Sequence, residues 1–443
     1  MTKQHLLTRK NKLIAMAIVC FCLFLSLGES ALADDVSVDR LSGTNRYDTS
    51  VKVSQKGWPK GADSVVIAVG DNFPDALAGA PLAYKYNAPI LLVPKNKLSG
   101  NVYHEIKRLG AKKAFILGGT SVVESSVESQ LKRMGLEIDR IAGKNRYETA
   151  SKIADYIGGT KAVVTYGDNF PDSLSIASYA ASNSMPILLT DDKALPSATK
   201  NALKKYRSTI VVGGERAVSK KVYNELPSPR RITGSNRYET ATKVVNSLYS
   251  TSSTKESTIA TGESFADALT GSVIAAKNDQ PIVLVESDSV PAVVRETIND
   301  YQMNSFTIIG GKSVISEQAE KMLTFNPEVL INSAKKHLGT PYKWAGTTPA
   351  GFDCSGFVMY VFGQHDISVP RTTTDIWNKG KRVSKPSVGD LVVFTTYKPG
   401  PSHVGIYMGD NKFIHSGDRG VEITSMDNVY WNPRYMGAVS FLE

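Results

Sequence analysis

Arg40-Leu-Ser-Gly-Thr-Asn-Arg-Tyr47 returns as Arg140-Ile-Ala-Gly-Lys-Asn-Arg-Tyr147 and again as Arg231-Ile-Thr-Gly-Ser-Asn-Arg-Tyr238, at offsets of 100 and 91 residues. Three other stretches repeat at similar offsets. Gly70-Asp-Asn-Phe-Pro-Asp75 matches Gly167-Asp-Asn-Phe-Pro-Asp172 and, more loosely, Gly262-Glu-Ser-Phe-Ala-Asp267. Pro89-Ile-Leu-Leu92 matches 186–189 and 281–284, and Gly118-Gly119 matches 213–214 and 310–311. A period of this length is too long for a solenoid unit and suits three small domains. Inside each repeat, short apolar runs such as Ser64–Val69, Ile90–Val93 and Ala114–Leu117 end at glycine or proline and alternate with helical periodicity, as over Asp75–Tyr86. Continuous apolar strands separated by helices imply an α/β fold with a parallel sheet covered on both faces.

In such sheets ligands gather beyond the C-terminal strand ends, where helix N-termini open. Asp71 and Asp75 fall at such an end, and capping or turn chemistry explains them as well as ligand binding does. Arg46, Arg146 and Arg237 are less easily read as packing, since a buried guanidinium needs a partner. They point either to ion pairs between domains or to an anionic polymer. There is no G-x-G-x-x-G after a strand and no complete G-x-x-x-x-G-K-[ST], which excludes the common nucleotide sites.

The chain has 443 residues, 42% hydrophobic and 21% charged, with a net charge of +10. These are globular values with core to spare. The positive charge is dispersed, favours an anionic surface as partner, and comes with no nucleic-acid-binding motif. Lys3, Arg9, Lys10 and Lys12, the apolar run Leu13–Leu27 and Ala31-Leu-Ala33 read as a secretory leader over residues 1–33. The run is shorter than the ~20 residues a spanning helix needs, so no transmembrane anchor is expected after cleavage. Cys20 and Cys22 leave with the leader, and Cys354 becomes the one thiol of an exported chain.

Cys354 stands in Gly351-Phe-Asp-Cys-Ser-Gly-Phe-Val358, at the head of an apolar run that reads as a buried helix. The positive end of the helix dipole and the unpaired N–H groups there lower a thiol pKa. His403 and His415 lie on two runs that read as a hairpin. A two-residue turn at Asp410-Asn411 would put them on opposite faces. A three-residue loop, Gly409 to Asn411, pairs Gly405 with His415 and brings both rings to one face. That register also collects Val404, Ile406, Met408 and Ile414 on the other face, and is the one expected. The roles follow as nucleophile (Cys354), general base (His403) and orienting partner (His415), with helix N–H groups holding the oxyanion. Zinc would need a fourth ligand that does not appear, so neither metal nor cofactor is expected. His337 and His365 read as packing or surface residues. Asn326-Pro327 ends the repeats and leaves only a short linker to this last segment.

The three units, with their Asn-Arg-Tyr-Glu-Thr-Ala blocks at 145–150 and 236–241, resemble the type 2 cell-wall-binding repeats of Gram-positive surface proteins. That resemblance implies a pseudo-threefold disc that holds the chain non-covalently on an anionic wall polymer. Leu338–Trp344, Gly351–Phe357, Pro370-Arg-Thr372, Val388–Leu391 and Ser402–Tyr407 resemble, in order, the NlpC-type peptidoglycan endopeptidases. This implies an α+β papain-like domain with Cys354, His403 and His415 as its triad, Tyr342 facing substrate, and Asp353 and Ser355 touching the stem peptide. One departure is Ala345, where the family commonly has glycine. The expected layout is a leader (1–33), three repeats (34–137, 138–228, 229–325) and a peptidase domain (328–443). The expected function is that of a secreted, wall-held cysteine peptidase cutting peptidoglycan stem peptides, at the γ-D-glutamyl–diamino acid bond. The alternatives are a wall-binding adhesion protein, or an amidase or acyltransferase on the same nucleophile.

Overall fold

A computed structural model describes residues 36–442, so the expected leader with Cys20 and Cys22 lies outside the described residues. The apolar runs become strands, and the polar openings of the repeats add three that the sequence reading did not foresee, at Ser37–Leu41, Glu137–Ile141 and Pro229–Ile232. Together they are β1 (Ser37–Leu41), β2 (Ser64–Val69), β3 (Ile90–Val93), β4 (Lys113–Leu117), β5 (Glu137–Ile141), β6 (Lys161–Tyr166), β7 (Ile187–Thr190), β8 (Ser208–Val212), β9 (Pro229–Ile232), β10 (Glu256–Thr261), β11 (Ile282–Val285) and β12 (Ser305–Ile309). They form three four-stranded parallel sheets, ordered β3-β2-β4-β5, β7-β6-β8-β9 and β11-β10-β12-β1. The sheets straddle the sequence repeats. Each takes its fourth strand from the opening of the next repeat, and the third takes β1 from the far end of the chain. One arginine secures each junction: Arg40 donates to the Gly310 carbonyl at 2.8 Å, Arg140 to Gly118 at 2.9 Å and Arg231 to Gly213 at 2.6 Å.

The Asn-Arg-Tyr block proves to be a helix start. Asn45, Asn145 and Asn236 cap the helices Arg46–Gly57, Arg146–Ile157 and Arg237–Leu248, each accepting backbone N–H groups. Four residues on from each cap, Thr49, Thr149 and Thr240 accept the N–H of Gly43, Gly143 and Gly234. The aspartates do not cap. Asp75 precedes the helix Gly79–Lys85, whose N-cap Ala78 makes no side-chain bond. The corresponding helices of the other repeats start earlier, at Pro171 and Phe265. Helical periodicity from Asp75 therefore overstated this helix. Pro81 is the cause: deep in a helix it would clash with the carbonyl of Leu77, whereas in a first turn it is tolerated. Asp172 lies against the second strand-end glycine, where a Cβ on Gly213 (φ 117°) would sit 2.5 Å from its Oδ2. Only glycine meets both the backbone angle and the space there.

Phe73, Phe170 and Phe265 meet at the centre, with ring centroids 5.6, 5.8 and 6.4 Å apart. The helices around them pack on one another, which gives the disc its pseudo-threefold axis. The C-terminal domain adds a six-stranded antiparallel sheet, ordered β15-β20-β16-β17-β18-β19. After the small pair β13 (Thr347–Thr348) and β14 (Gly351–Phe352), its strands are β15 (Lys381–Val383), β16 (Leu391–Phe394), β17 (His403–Gly409), β18 (Lys412–Gly417), β19 (Gly420–Ser425) and β20 (Tyr435–Ser440). The helices Pro327–Lys335 and Cys354–Gly363 share its core, through Leu330, Phe357 and Val361 against Val404, Ile406 and Ile414. The domain is docked on the third repeat. Buried Arg295 bonds Asp390 at 3.2 Å and Ser440 at 3.1 Å, Glu286 pairs with Lys381, and Ser387 donates to Glu296.

Candidate active site

Cys354 is the first residue of the helix Cys354–Gly363. Asp353 caps that helix by accepting the Gly356 N–H at 2.7 Å. Gly356 is required by close approach, since a Cβ there would lie 2.0 Å from the Gly346 carbonyl oxygen. Ala345 adopts φ 59°. Glycine would take this angle without strain, whereas alanine holds the left-handed conformation at a cost of about 1–2 kcal/mol.

The two histidines come together as their strands demand, by a different turn. Ile406 opposes Ile414 and Tyr407 opposes Phe413, which sets Gly405 across from His415. The loop, however, is the two-residue turn Asp410-Asn411, with φ 47° and 58°, closed by Gly409 opposite Lys412. A β-bulge between Tyr407 and Gly409 absorbs Met408 and restores the register that a three-residue loop would have set. His403 Nε2 lies 3.0 Å from His415 Nδ1, and His415 Nε2 lies 3.0 Å from Thr424 Oγ1. Either direction fits these distances; in the one that leaves His403 a base, His403 donates from Nε2 to His415 Nδ1, His415 donates from Nε2 to Thr424, and Nδ1 of His403 keeps its lone pair. Thr424 was invisible in the sequence reading, as was Trp431, whose ring lies 4.6 Å from His403 and 4.8 Å from His415 by centroid. Phe413 stacks on His415 at 4.6 Å.

This apolar wrapping sets the protonation states. Burial pushes His403 down to about 3, and burial, followed by the His403 and Arg419 charges, pushes His415 down to about 2. Both rings are therefore neutral. The thiol departs from the sequence expectation. Burial pushes it up, outweighing the hydrogen bonds from Thr373 and from the Val404 and Ser355 backbone N–H groups that favour the thiolate. Sγ lies 3.8 Å from Thr373 Oγ1. At rest the site thus holds a thiol and a neutral imidazole.

Cys354, His403, Tyr342, Asp353 and Ser355 line one open groove of about 920 Å³. His415 is fully buried behind His403 and does not reach it. Arg371 enters as well, bonding Asp353 at 2.6 and 3.0 Å and Ser355 Oγ at 2.9 Å. Asp353 therefore serves as helix cap and ion-pair partner together. Burial lifts the Tyr342 hydroxyl to about 12, with the Cys354 and Asp353 charges adding to it. Among the described residues no His, Cys, Asp or Glu group is arranged to hold a metal ion. His337 packs on Phe352 and Tyr360, and His365 bonds Ser333.

The repeated arginines lie elsewhere, on the disc. Arg46, Arg146 and Arg237 each donate to a strand-end carbonyl of their own repeat, at Gly70, Gly167 and Gly262. Arg146 also pairs with Asp168. The side chain of Arg46 remains 41% exposed and that of Arg146 29%.

Comparison with known proteins agrees with both halves. The cell wall binding domain 2 (CWB2) family matches residues 40–128, 140–223 and 231–320, and the NlpC/P60 family matches 339–440. N-acetylmuramoyl-L-alanine amidase LytC of Bacillus subtilis (strain 168) is 38% identical over 319 residues, covering 71% of this chain and 63% of its own. The probable peptidoglycan endopeptidase LytE of the same organism is 56% identical over 119 residues, covering 27% of this chain and 35% of its own. The chain thus spans less than two thirds of either relative. Cwp6 from Clostridium difficile, a solved structure, is 28% identical with a TM-score of 0.60, covering 64% of this chain and 48% of that one. No helix among the described residues is long and apolar enough to cross a membrane.

Proposed function

The chain belongs to the cell wall binding domain 2 family, with three such repeats ahead of a C-terminal NlpC/P60 domain, and on that basis we propose that it is an exported cysteine endopeptidase, held on the Gram-positive wall, that cuts peptidoglycan stem peptides at the γ-D-glutamyl–diamino acid bond. The observation that carries the reading is the hydrogen-bonded His403–His415–Thr424 line, which ends at a groove shared with Cys354.

Because both resting partners are neutral, proton transfer accompanies attack. His403 Nδ1 takes the thiol proton as sulfur bonds to the amide carbon, and the N–H groups at the helix start stabilise the oxyanion. The imidazolium, steadied by His415, then gives its proton to the departing amine as the C–N bond breaks, leaving a thioester. His403 next removes a proton from water, the hydroxide displaces sulfur, and the acid and the free thiol are regenerated. Trp431 keeps bulk water off the imidazole pair.

Incubation of purified muropeptides with wild type and with Cys354→Ala tests this directly. Products cut inside the stem peptide should form only with wild type. Equal products from both proteins, or masses showing release of the whole peptide from the sugar, would defeat the reading. For the disc, the repeats bind cell-wall components, and we propose an anionic polymer met by the exposed edges of Arg46, Arg146 and Arg237. Sedimentation with isolated walls should weaken steeply as salt rises.

A further inference from the structure

Two side chains at the groove take no part in that chemistry. Trp344 is 71% exposed and Tyr397 is 65% exposed. Rings of this size normally bury most of their surface, so both leave much apolar area in water. They meet edge to face, with centroids 6.2 Å apart and planes at 70°, and so form two walls of an open corner. Neither the Trp344 Nε1–H nor the Tyr397 hydroxyl has a hydrogen-bond partner among the described residues. Trp344 leads into the left-handed Ala345, while Tyr397 sits on the loop between β16 and β17, with the Lys398 ammonium 5.8 Å from its ring. Both rings line the groove that holds Cys354 and His403, so the corner is continuous with the reacting centre.

The chemistry of the corner differs from that of the groove floor. Asp353, Arg371 and Ser355 present charge and hydrogen bonds suited to a peptide with carboxylates and amides. The corner presents two aromatic faces, one N–H donor and one hydroxyl. A pyranose is its complement: its C–H face packs on an aromatic ring, while hydroxyl and acetamide groups at its rim meet the donor and the hydroxyl. We propose that Trp344 and Tyr397 form a subsite for an N-acetylated amino-sugar of the glycan to which the stem peptide is attached. The chain then takes its peptide while the sugar is still joined to it. This rests on the endopeptidase reading and extends it.

The test compares one stem peptide with and without its N-acetylglucosaminyl–N-acetylmuramic acid disaccharide, using wild type, Trp344→Ala, Tyr397→Ala and Trp344→Phe. For the sugar-linked substrate, kcat/KM should fall about two- to tenfold in each alanine variant, chiefly through KM, and Trp344→Phe should largely retain it. For the bare peptide all four proteins should agree within about twofold. Equal losses on both substrates, or no loss on either, overturn the subsite. A second arm needs no turnover. The disaccharide alone is titrated calorimetrically onto Cys354→Ala and onto Cys354→Ala/Trp344→Ala, and weaker binding to the second is expected. Identical isotherms refute the subsite even if wild type cuts neither substrate, an outcome that would by itself sink only the endopeptidase reading.

Discussion

Acidification from pH 7 to pH 5 should loosen the histidine-bearing sheet of the C-terminal domain while it tightens the disc, because buried histidines and buried aspartates respond with opposite signs; Asp390 at the domain junction, raised by burial, sides with the disc. His403 and His415 are held near 3 and 2 by burial, against 6.5 for a free histidine. Between these values the unfolded chain binds protons that the folded one refuses, so stability falls as pH falls. Over this window each histidine costs about 2 kcal/mol, and the pair up to about 4 kcal/mol. Asp172 and Asp267 behave in the other sense. Burial raises them from 3.8 to about 6, with Arg237 and Arg46 respectively opposing. Here the folded state holds the extra proton, and the same change stabilises the disc by about 1 kcal/mol for each aspartate. Carboxylates held low, such as Glu239 at about 2, lose their contribution only below about pH 4.5. Hydrogen exchange read by peptide and corrected for intrinsic rates measures the effect. Amides of 403–417 should lose protection by up to about a thousandfold, while those of 161–166 and 256–261 hold or gain. In His403→Gln/His415→Asn the loss should vanish. Protection over 403–417 that does not change with pH, or a loss that persists in the double variant, would refute the argument that these rings are buried neutral.

Thr424→Val removes the hydroxyl that hydrogen-bonds His415 Nε2; kcat should fall about tenfold with KM little changed, and Thr424→Ser should restore it. Steady-state kinetics on a muropeptide reads this, and an unchanged kcat would detach Thr424 from the line. Asp390→Ala removes the carboxylate facing buried Arg295 and should cost about 3–5 kcal/mol in denaturant unfolding, whereas Arg295→Met/Asp390→Leu should cost far less. Arg40→Ala removes its bonds to Gly310 and Glu320, for about 2 kcal/mol, and should speed exchange in β12 well before β4 or β8.

The inner strands of the disc were legible because short apolar runs closed by glycine or proline admit one reading, and Ser64–Val69 and Ile90–Val93 came out with their ends intact, whereas the polar fourth strands such as Pro229–Ile232 carry no such mark. The helix after Asp75 was misread because periodicity does not weigh a proline, and Pro81 decides where it begins. The site was legible where chemistry is local: Cys354 at a helix start, and two histidines on one hairpin. Its turn was not, because a bulge costs one residue and leaves no mark in an alternating pattern; Met408 is apolar like its neighbours. The thiol's acidity was misjudged for a related reason. Dipole and N–H groups can be read from position, but burial, which here outweighs even the hydrogen bonds from Thr373 and Val404, depends on what folding packs around the sulfur. Thr424 and Trp431 act only through contacts made by folding, and neither stands in a motif that would have marked it.

The capture of β1 by the third sheet has a consequence for how the molecule assembles. The same arginine-to-carbonyl contact spans 22 residues for Arg140, 18 for Arg231 and 270 for Arg40. In a free chain the longest of these loops costs about 2 kcal/mol more entropy to close than the others. Two junctions can form as the chain emerges, but the third must wait until nearly three hundred residues have been delivered. Until β1 docks, the newly formed β12 keeps a bare edge, able to accept a strand from any neighbour, including the N-terminal strand of another copy. Export one chain at a time, with prompt docking of the first two repeats, keeps the right strand nearest and makes ring closure the step where assembly succeeds or goes astray.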